Sequence, residues 1–162
     1  MDYSKPIRLG LFVRIKPIDL FSSQFTFGHR LWMGKAAQEA KSDFELLRMI
    51  FDGLHEFEIK PCHVRKVYDY FDDMLKRLQR WCEYEKQLNY EPTIEEKRAG
   101  IEIIGKKLKE FATIDAIATR MRISHDQALQ LPYDTVFKML LKDMEQSRFE
   151  RKLNKIYFDK RK

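Results

Sequence analysis

Along the first fifteen residues, Ile7, Leu9, Leu11, Val13 and Ile15 alternate with Arg8, Gly10, Phe12 and Arg14. A period of two is the mark of a half-buried strand. A strand is therefore expected over residues 7–15, ended by Pro17, which has no N–H for a ladder. A second, weaker strand is expected over Gln24–Met33, with Phe25, Phe27, His29 and Leu31 on one side and Gly28 and Gly34 interrupting the pattern. Residues 1–40 thus read as a small N-terminal β-hairpin or arm.

From residue 41 the period changes to that of a helix. Ser42 and Glu45 form a capping box, in which the hydroxyl and the carboxylate each accept a backbone N–H at the helix start. Phe44, Leu47, Ile50, Phe51 and Leu54 follow at helical spacing, and Gly53 is expected to end the helix. Pro61 suits the first position of the next one. Val64, Val67, Tyr68, Phe71, Leu75, Leu78, Trp81 and Leu88 then make a stripe at steps of three and four, predicting one long central helix to near Tyr90. Thr93 with Glu96 opens another helix, Thr113 is expected to cap a separate short one, and Ser124 with Gln127 opens a third that Pro132 cuts short. A last helix begins near Pro132 or Tyr133, places Val136, Phe137, Leu140, Leu141, Met144, Leu153 and Ile156 on or near one face, and runs into a basic end. The fold class expected is mainly α: a helical bundle over 41–162 with one long central helix, preceded by the β arm of 1–40.

Composition changes this picture little. An apolar share of 44% is enough for a core, and 35% charged residues suit exposed helices. Charge adds more. Of the net charge of +6, the stretch from Arg148 to Lys162 supplies five: Arg148, Arg151, Lys152, Lys155, Lys160, Arg161 and Lys162 against Glu150 and Asp159. Such an end suits an acidic partner, either nucleic acid or a carboxylate-rich protein. Residues 1–6 lack the apolar core of a signal peptide, and no apolar run approaches the roughly 18 residues that span a bilayer. The protein is expected in the cytoplasm, with no membrane partner.

Catalytic chemistry finds no footing in the sequence. Cys62 and Cys82 lie twenty residues apart on one expected helix, about 30 Å by helix rise, too far to share a metal. The neighbours Asp72–Asp73 and Glu95–Glu96 point about 100° apart on a helix and do not converge on one substrate atom. The six glycines are scattered, and none is followed by the Lys-Ser or Lys-Thr of a phosphate loop. The chain is expected to be no enzyme and to need no cofactor or metal. One motif favours nucleic acid: over Thr113–Phe137, Ala118, Ile123, Ser124 and Ala128 fall where a helix-turn-helix needs a small residue, an apolar turn residue, a cap and a packed residue. Arg122, however, stands at the usual glycine position, and the second helix carries His125, Asp126, Gln127 and Gln130 rather than cations. Aromatic residues supply a different expectation. The run from Phe21 to Trp32 is apolar and poorly patterned for a self-sufficient sheet, so it should either pack on the helices or add to a partner's sheet edge; Phe21, Phe25, Phe27 and Trp32 are the candidate partner-docking residues.

Two stretches resemble a known group. The first comprises Trp81, Glu85, Leu88, Tyr90 to Thr93, Glu95 to Lys97 and Ala99 to Ile101. The second comprises Ile114 to Ala118, Leu131 to Tyr133, Val136 and Phe137. Both resemble small morphogenesis proteins of tailed phages and prophages of gut bacteria, and the ending is similar to that of helical tail-assembly chaperones. The resemblance spans about residues 80–160. It implies a non-enzymatic assembly or virion protein, tail-chaperone-like or a head–tail ring component. Its partners would be other phage structural or assembly proteins, or further copies of itself, in the host cytoplasm or the virion. The alternative is a nucleic-acid-binding protein using the helix-turn-helix or the basic end.

Overall fold

A computed structural model of the chain describes residues 2–10 and 12–159. The fold is mainly α, with a two-stranded antiparallel hairpin at the N-terminus. The hairpin pairs β1 (Ile7–Arg8) with β2 (Arg14–Ile15) in the register Ile7 to Ile15 and Arg8 to Arg14. The alternation over 7–15 is therefore two short strands folded back on each other, not one strand. The Leu9 N–H donates to the Val13 carbonyl at 2.9 Å and closes the turn. Leu9 and Ile15 face the core as the alternation requires, whereas Val13 is exposed at the turn, and Leu11 lies outside the described residues.

The second expected strand, Gln24–Met33, is not formed. Phe27–Glu39 is a helix, α1. Its start is fixed by a capping box of unusual composition: the Thr26 hydroxyl accepts from His29 N–H, and His29 Nδ1 accepts from Thr26 N–H, each at 3.2 Å. The imidazole takes the place of the usual Glu or Gln. Only the approach to α1 is extended, where Thr26 bridges Pro132, Phe27 N–H donates to Leu131 O and Tyr133 N–H to Phe25 O.

Helix α2 (Asp43–His55) starts at the Ser42 cap and continues through Gly53, so the glycine does not end it. A 3₁₀ turn at Pro61–His63 leads into α3 (Val64–Glu85), which passes into a second 3₁₀ turn at Lys86–Leu88. This is the long central helix, and its stripe buries Val67, Tyr70, Phe71, Met74 and Trp81. The Thr93 box opens the short α4 (Ile94–Arg98), and Gly100, in the left-handed region at φ +86°, turns the chain into α5 (Ile101–Met121). Thr113 lies inside α5 and caps nothing; the break is taken by Gly100, which has no Cβ to oppose positive φ. Helix α6 (His125–Leu129) starts at the Ser124 box, and α7 (Tyr133–Asp159) closes the chain.

The expected arm is folded into this body. Pro17, Leu20, Phe25 and Phe27 are buried. The Trp81 indole donates to Leu20 O at 2.8 Å, and the Tyr70 hydroxyl accepts from Ile18 N–H at 2.9 Å. Arg77 holds Asp19 at 2.8 Å and Asp73 at 2.9 Å. Among the described residues no buried side-chain polar atom lacks a partner, and no helix is long and apolar enough to cross a membrane.

Candidate functional site

Helix α7 has 27 residues, about 40 Å by helix rise. Its first half belongs to the core through Val136 and Phe137, with Leu140 and Leu141 packed beside them. Its second half is different: Phe149 is 63% exposed, Ile156 52%, Tyr157 57% and Phe158 68%. Phe149, Leu153 and Ile156 recur at i, i+4 and i+7, one face of a helix. Leaving a large apolar side chain in water instead of burying it forgoes about 1.5–3 kcal/mol; Phe149, Ile156 and Tyr157 fall within about 100° of one another around the helix and share a side, whereas Phe158 lies on the opposite side.

The expected basic residues divide into two sets along this helix. Arg148 and Arg151 are tied to the body. Arg148 pairs with Glu145 and donates to Gln87 O at 3.0 Å. The Arg151 guanidinium lies over the Tyr90 ring, 4.3 Å from its centroid, and pairs with Glu96 at 3.4 Å. The Tyr90 hydroxyl donates to Glu96; with the Thr93 backbone N–H this holds the Glu96 carboxyl below the usual carboxylate range. Lys152 and Lys155 are exposed and form no ion pair among the described residues. Lys160, Arg161 and Lys162 lie outside the described residues.

Beside this helix runs a trough. Leu88, Leu140 and Met144 line a hollow of about 400 Å³, and Leu88, Thr113 and Leu140 continue into a second of about 370 Å³ reaching Leu31 on α1. Its wall holds a closed polar cluster. Glu85 Oε1 accepts from Arg30 Nε at 2.6 Å and from the Tyr133 hydroxyl, while Oε2 accepts from the second guanidinium nitrogen. Burial, then the Glu85 carboxylate, pushes the Tyr133 phenol far above its usual value. These three hydrogen bonds fix α1, α3 and α7 together.

The four candidate docking residues are placed elsewhere. Phe25 and Phe27 are core residues; Phe27 stacks on Tyr133 and Phe25 meets it edge to face. Trp32 packs against α2 and donates its indole N–H to Met49 O at 2.7 Å. Phe21 is partly exposed but stacks on Trp81 at 5.1 Å. The structure does not bring them together on a free arm. Their apolar character reads equally well as core or as interface, and only tertiary placement separates the two.

The residues of the helix-turn-helix pattern do pack together. Ala118 and Ala128 are buried, and Arg122 adopts the left-handed conformation at φ 55° that the turn requires. Yet α6 has five residues and lies against α1, where a Cβ on Gly28 would stand 3.2 Å from Leu129 O. His125 is committed to Asp115 at 3.1 Å, and α6 carries no Lys or Arg to meet phosphates. Among the described residues no three His, Cys, Asp or Glu side chains converge as a metal site, and Cys62 and Cys82 are both free and exposed.

Comparison with protein-family models, with curated proteins and with solved structures finds no match to this chain. Two of its features escaped the sequence pattern. The latch of Arg151 on Tyr90 and Glu96 joins positions 61 and 55 residues apart in sequence. The exposed Phe12 was read as the outward face of a continuous strand, although Gly10 beside it marked a place where the chain could turn.

Proposed function

We propose that this chain is a non-enzymatic assembly or structural protein that works through protein–protein contacts, with the second half of α7 as its principal docking element. One observation carries the reading: Phe149, Ile156, Tyr157 and Phe158 are all more than half exposed on a helix that also presents Lys152 and Lys155. The side shared by Phe149, Ile156 and Tyr157, with Lys152 and Lys155 along its edge, suits a groove or helix of an acidic partner, which would bury these side chains and meet the lysines. The latch on Glu96 and Gln87 fixes the angle at which this element leaves the body, so less ordering remains to be done on binding.

The resemblance over residues 80–160 supports placing the partner among tailed-phage morphogenesis proteins, with the chain acting as a tail-assembly chaperone or a head–tail ring component. The host cytoplasm or the virion is then its site of action. The test is affinity purification of the tagged full chain from phage-infected cells, alongside F149S/I156S/F158S. A discrete virion or assembly protein is expected with the wild type and not with the variant. Equal recovery with both chains contradicts the reading.

Nucleic acid remains the second reading because the same helix end interleaves aromatic and basic side chains. Phosphate contacts make affinity fall steeply with salt. A gel shift at low salt that disappears at high salt, and is lost in K152S/K155S, would favour it over the protein partner.

A further inference from the structure

The β1–β2 hairpin presents a second exposed apolar group with cations around it. Phe12, at its turn, is 96% exposed, and Val13 beside it is exposed as well. The segment from Ile7 to Lys16 contains Arg8, Arg14 and Lys16 and no acid. Arg8 and Arg14 are direct cross-strand partners. The neighbouring pair Leu9 and Val13 is joined by the backbone hydrogen bond. Antiparallel pairs alternate, so Arg8 and Arg14 occupy a non-hydrogen-bonded position, where side chains stand closest. Like charges directly opposite each other destabilise a sheet, and a two-stranded hairpin has little stability to spare. Neither arginine has a carboxylate partner among the described residues. The hairpin is held from below instead, where Lys66 donates to Leu9 O at 2.7 Å and Leu9 and Ile15 enter the core.

We propose that this hairpin is a second docking knob, taking an acidic protein segment whose carboxylates lie between Arg8 and Arg14 while an apolar recess receives Phe12. Charge complementarity selects the partner: an anionic group shared by the two guanidiniums turns their repulsion into charge-assisted hydrogen bonds. An aromatic ring beside arginines is also the composition of an interface hot spot. Nucleic acid fits less well, because strand-tracking sites use a row of stacking rings along a basic groove, and the hairpin offers one ring. A lipid surface fits less well, because about 1 kcal/mol per cation with one inserted ring gives only marginal binding. Lys66 lies near the start of α3 and the 3₁₀ turn beside Arg148 beyond its end. Their anchor points are thus about 30 Å apart along α3, and a partner engaging both knobs gains avidity. This inference rests on the protein-partner reading but uses a different surface.

The test uses the full chain and two polypeptide probes, poly-L-glutamate and the random copolymer poly(Glu,Tyr), with binding followed by fluorescence anisotropy. Wild type is expected to prefer poly(Glu,Tyr). F12S should abolish the preference, and R8S/R14S should weaken binding to both probes by about tenfold or more. K41S/K107S, which removes the same charge from two exposed lysines outside both docking elements, should keep the preference and bind both probes like the wild type. Thermal melts check that each variant is folded; Phe12 is free enough of neighbours for F12S to leave the fold intact. Equal weakening by the two double variants would mean a general effect of net charge and overturn the proposal. So would a preference unaffected by F12S, or a Phe12-dependent gain for single-stranded DNA or anionic phosphatidylglycerol vesicles exceeding that for poly(Glu,Tyr). Loss of the preference in K152S/K155S alone overturns the hairpin proposal and leaves the α7 reading standing.

Discussion

The indole of Trp32 occupies the space that a side chain on Gly53 would need: a methyl group at residue 53 would overlap the ring. The same indole donates its N–H to Met49 O, one turn earlier on α2. Gly53 is therefore a notch for Trp32, and α1 and α2 are joined by this insertion. Ala in place of Gly gains about 1 kcal/mol of helix propensity, but an unrelieved overlap in a packed contact costs about 1–3 kcal/mol. Gly53→Ala is expected to destabilise the protein by up to about 2 kcal/mol on balance. Urea denaturation measures it, and an increase in stability would show that Trp32 is free to move aside.

A second prediction concerns acid. Burial, with the charge of His29 as a smaller contribution, lowers the His55 pKa from 6.5 to about 4, and its Nε2 faces the Tyr70 hydroxyl at 3.1 Å. Burial also lowers His29, whose Nδ1 must be unprotonated to accept from Thr26 N–H. Both folded pKa values lie below the unfolded one, so the unfolded chain binds more protons in that window. The stabilisation is complete above pH about 6.5 and is lost as pH falls towards about 4. For His55 the loss is at most about 3 kcal/mol, at about 1.4 kcal/mol per pH unit. Denaturant melts between these limits should show the decline, and His55→Gln, which cannot take the proton, should flatten it. An unchanged slope in that variant would exclude His55 as the cause.

Removing the Glu85 carboxylate should loosen three helices at once. Glu85→Ala leaves Arg30, with 17% side-chain exposure, without its partner, and strands the Tyr133 hydroxyl in a mostly buried place. A cost of about 2–3 kcal/mol is expected, less than for a fully buried pair because solvent reaches both ions. Tyr133→Phe should cost about 1 kcal/mol. Chemical denaturation of the two variants checks the order; equal costs would mean that the ion pair contributes nothing.

Arg122 offers a test in the stabilising direction. It holds φ 55° at the C-terminus of α5, a conformation that opposes its Cβ. Arg122→Gly is expected to raise stability by about 0.5–1 kcal/mol, since glycine takes the left-handed region without that cost. The residue is exposed, so no packing is lost. A lower melting temperature would contradict this account of the α5–α6 turn.

Much of the helical part could be read from the sequence because its signals are local. Thr93 and Ser124 close the capping boxes their spacing predicts; Ser42 caps α2 with its hydroxyl alone, because the Glu45 carboxylate accepts from Lys41 N–H instead. The stripe of α3 faces the core except at Tyr68, which is exposed. The errors arose where local signals conflict with packing. Phe25, Phe27, His29 and Leu31 alternate like a strand, yet Thr26 and His29 close a capping box that no Glu or Gln announced. Gly53 reads as a stop until Trp32 is seen to fill its place. The docking surface was half legible. The basic composition of residues 148–155 was evident, but whether Phe25 and Phe27 or Phe149 and Phe158 stay in water depends on which side of α7 and α3 they meet.

The central claim is that the projecting half of α7 binds a protein partner. The most direct measurement is hydrogen–deuterium exchange over residues 145–159 in the full chain, alone and after co-purification from infected cells. Partner engagement predicts slower exchange of these amides in the co-purified sample, with thermal stability of F149S/I156S/F158S unchanged or higher in isolation. Exchange identical in both samples, together with a large loss of stability in the variant, would show that the exposed rings serve the fold itself and would contradict the account.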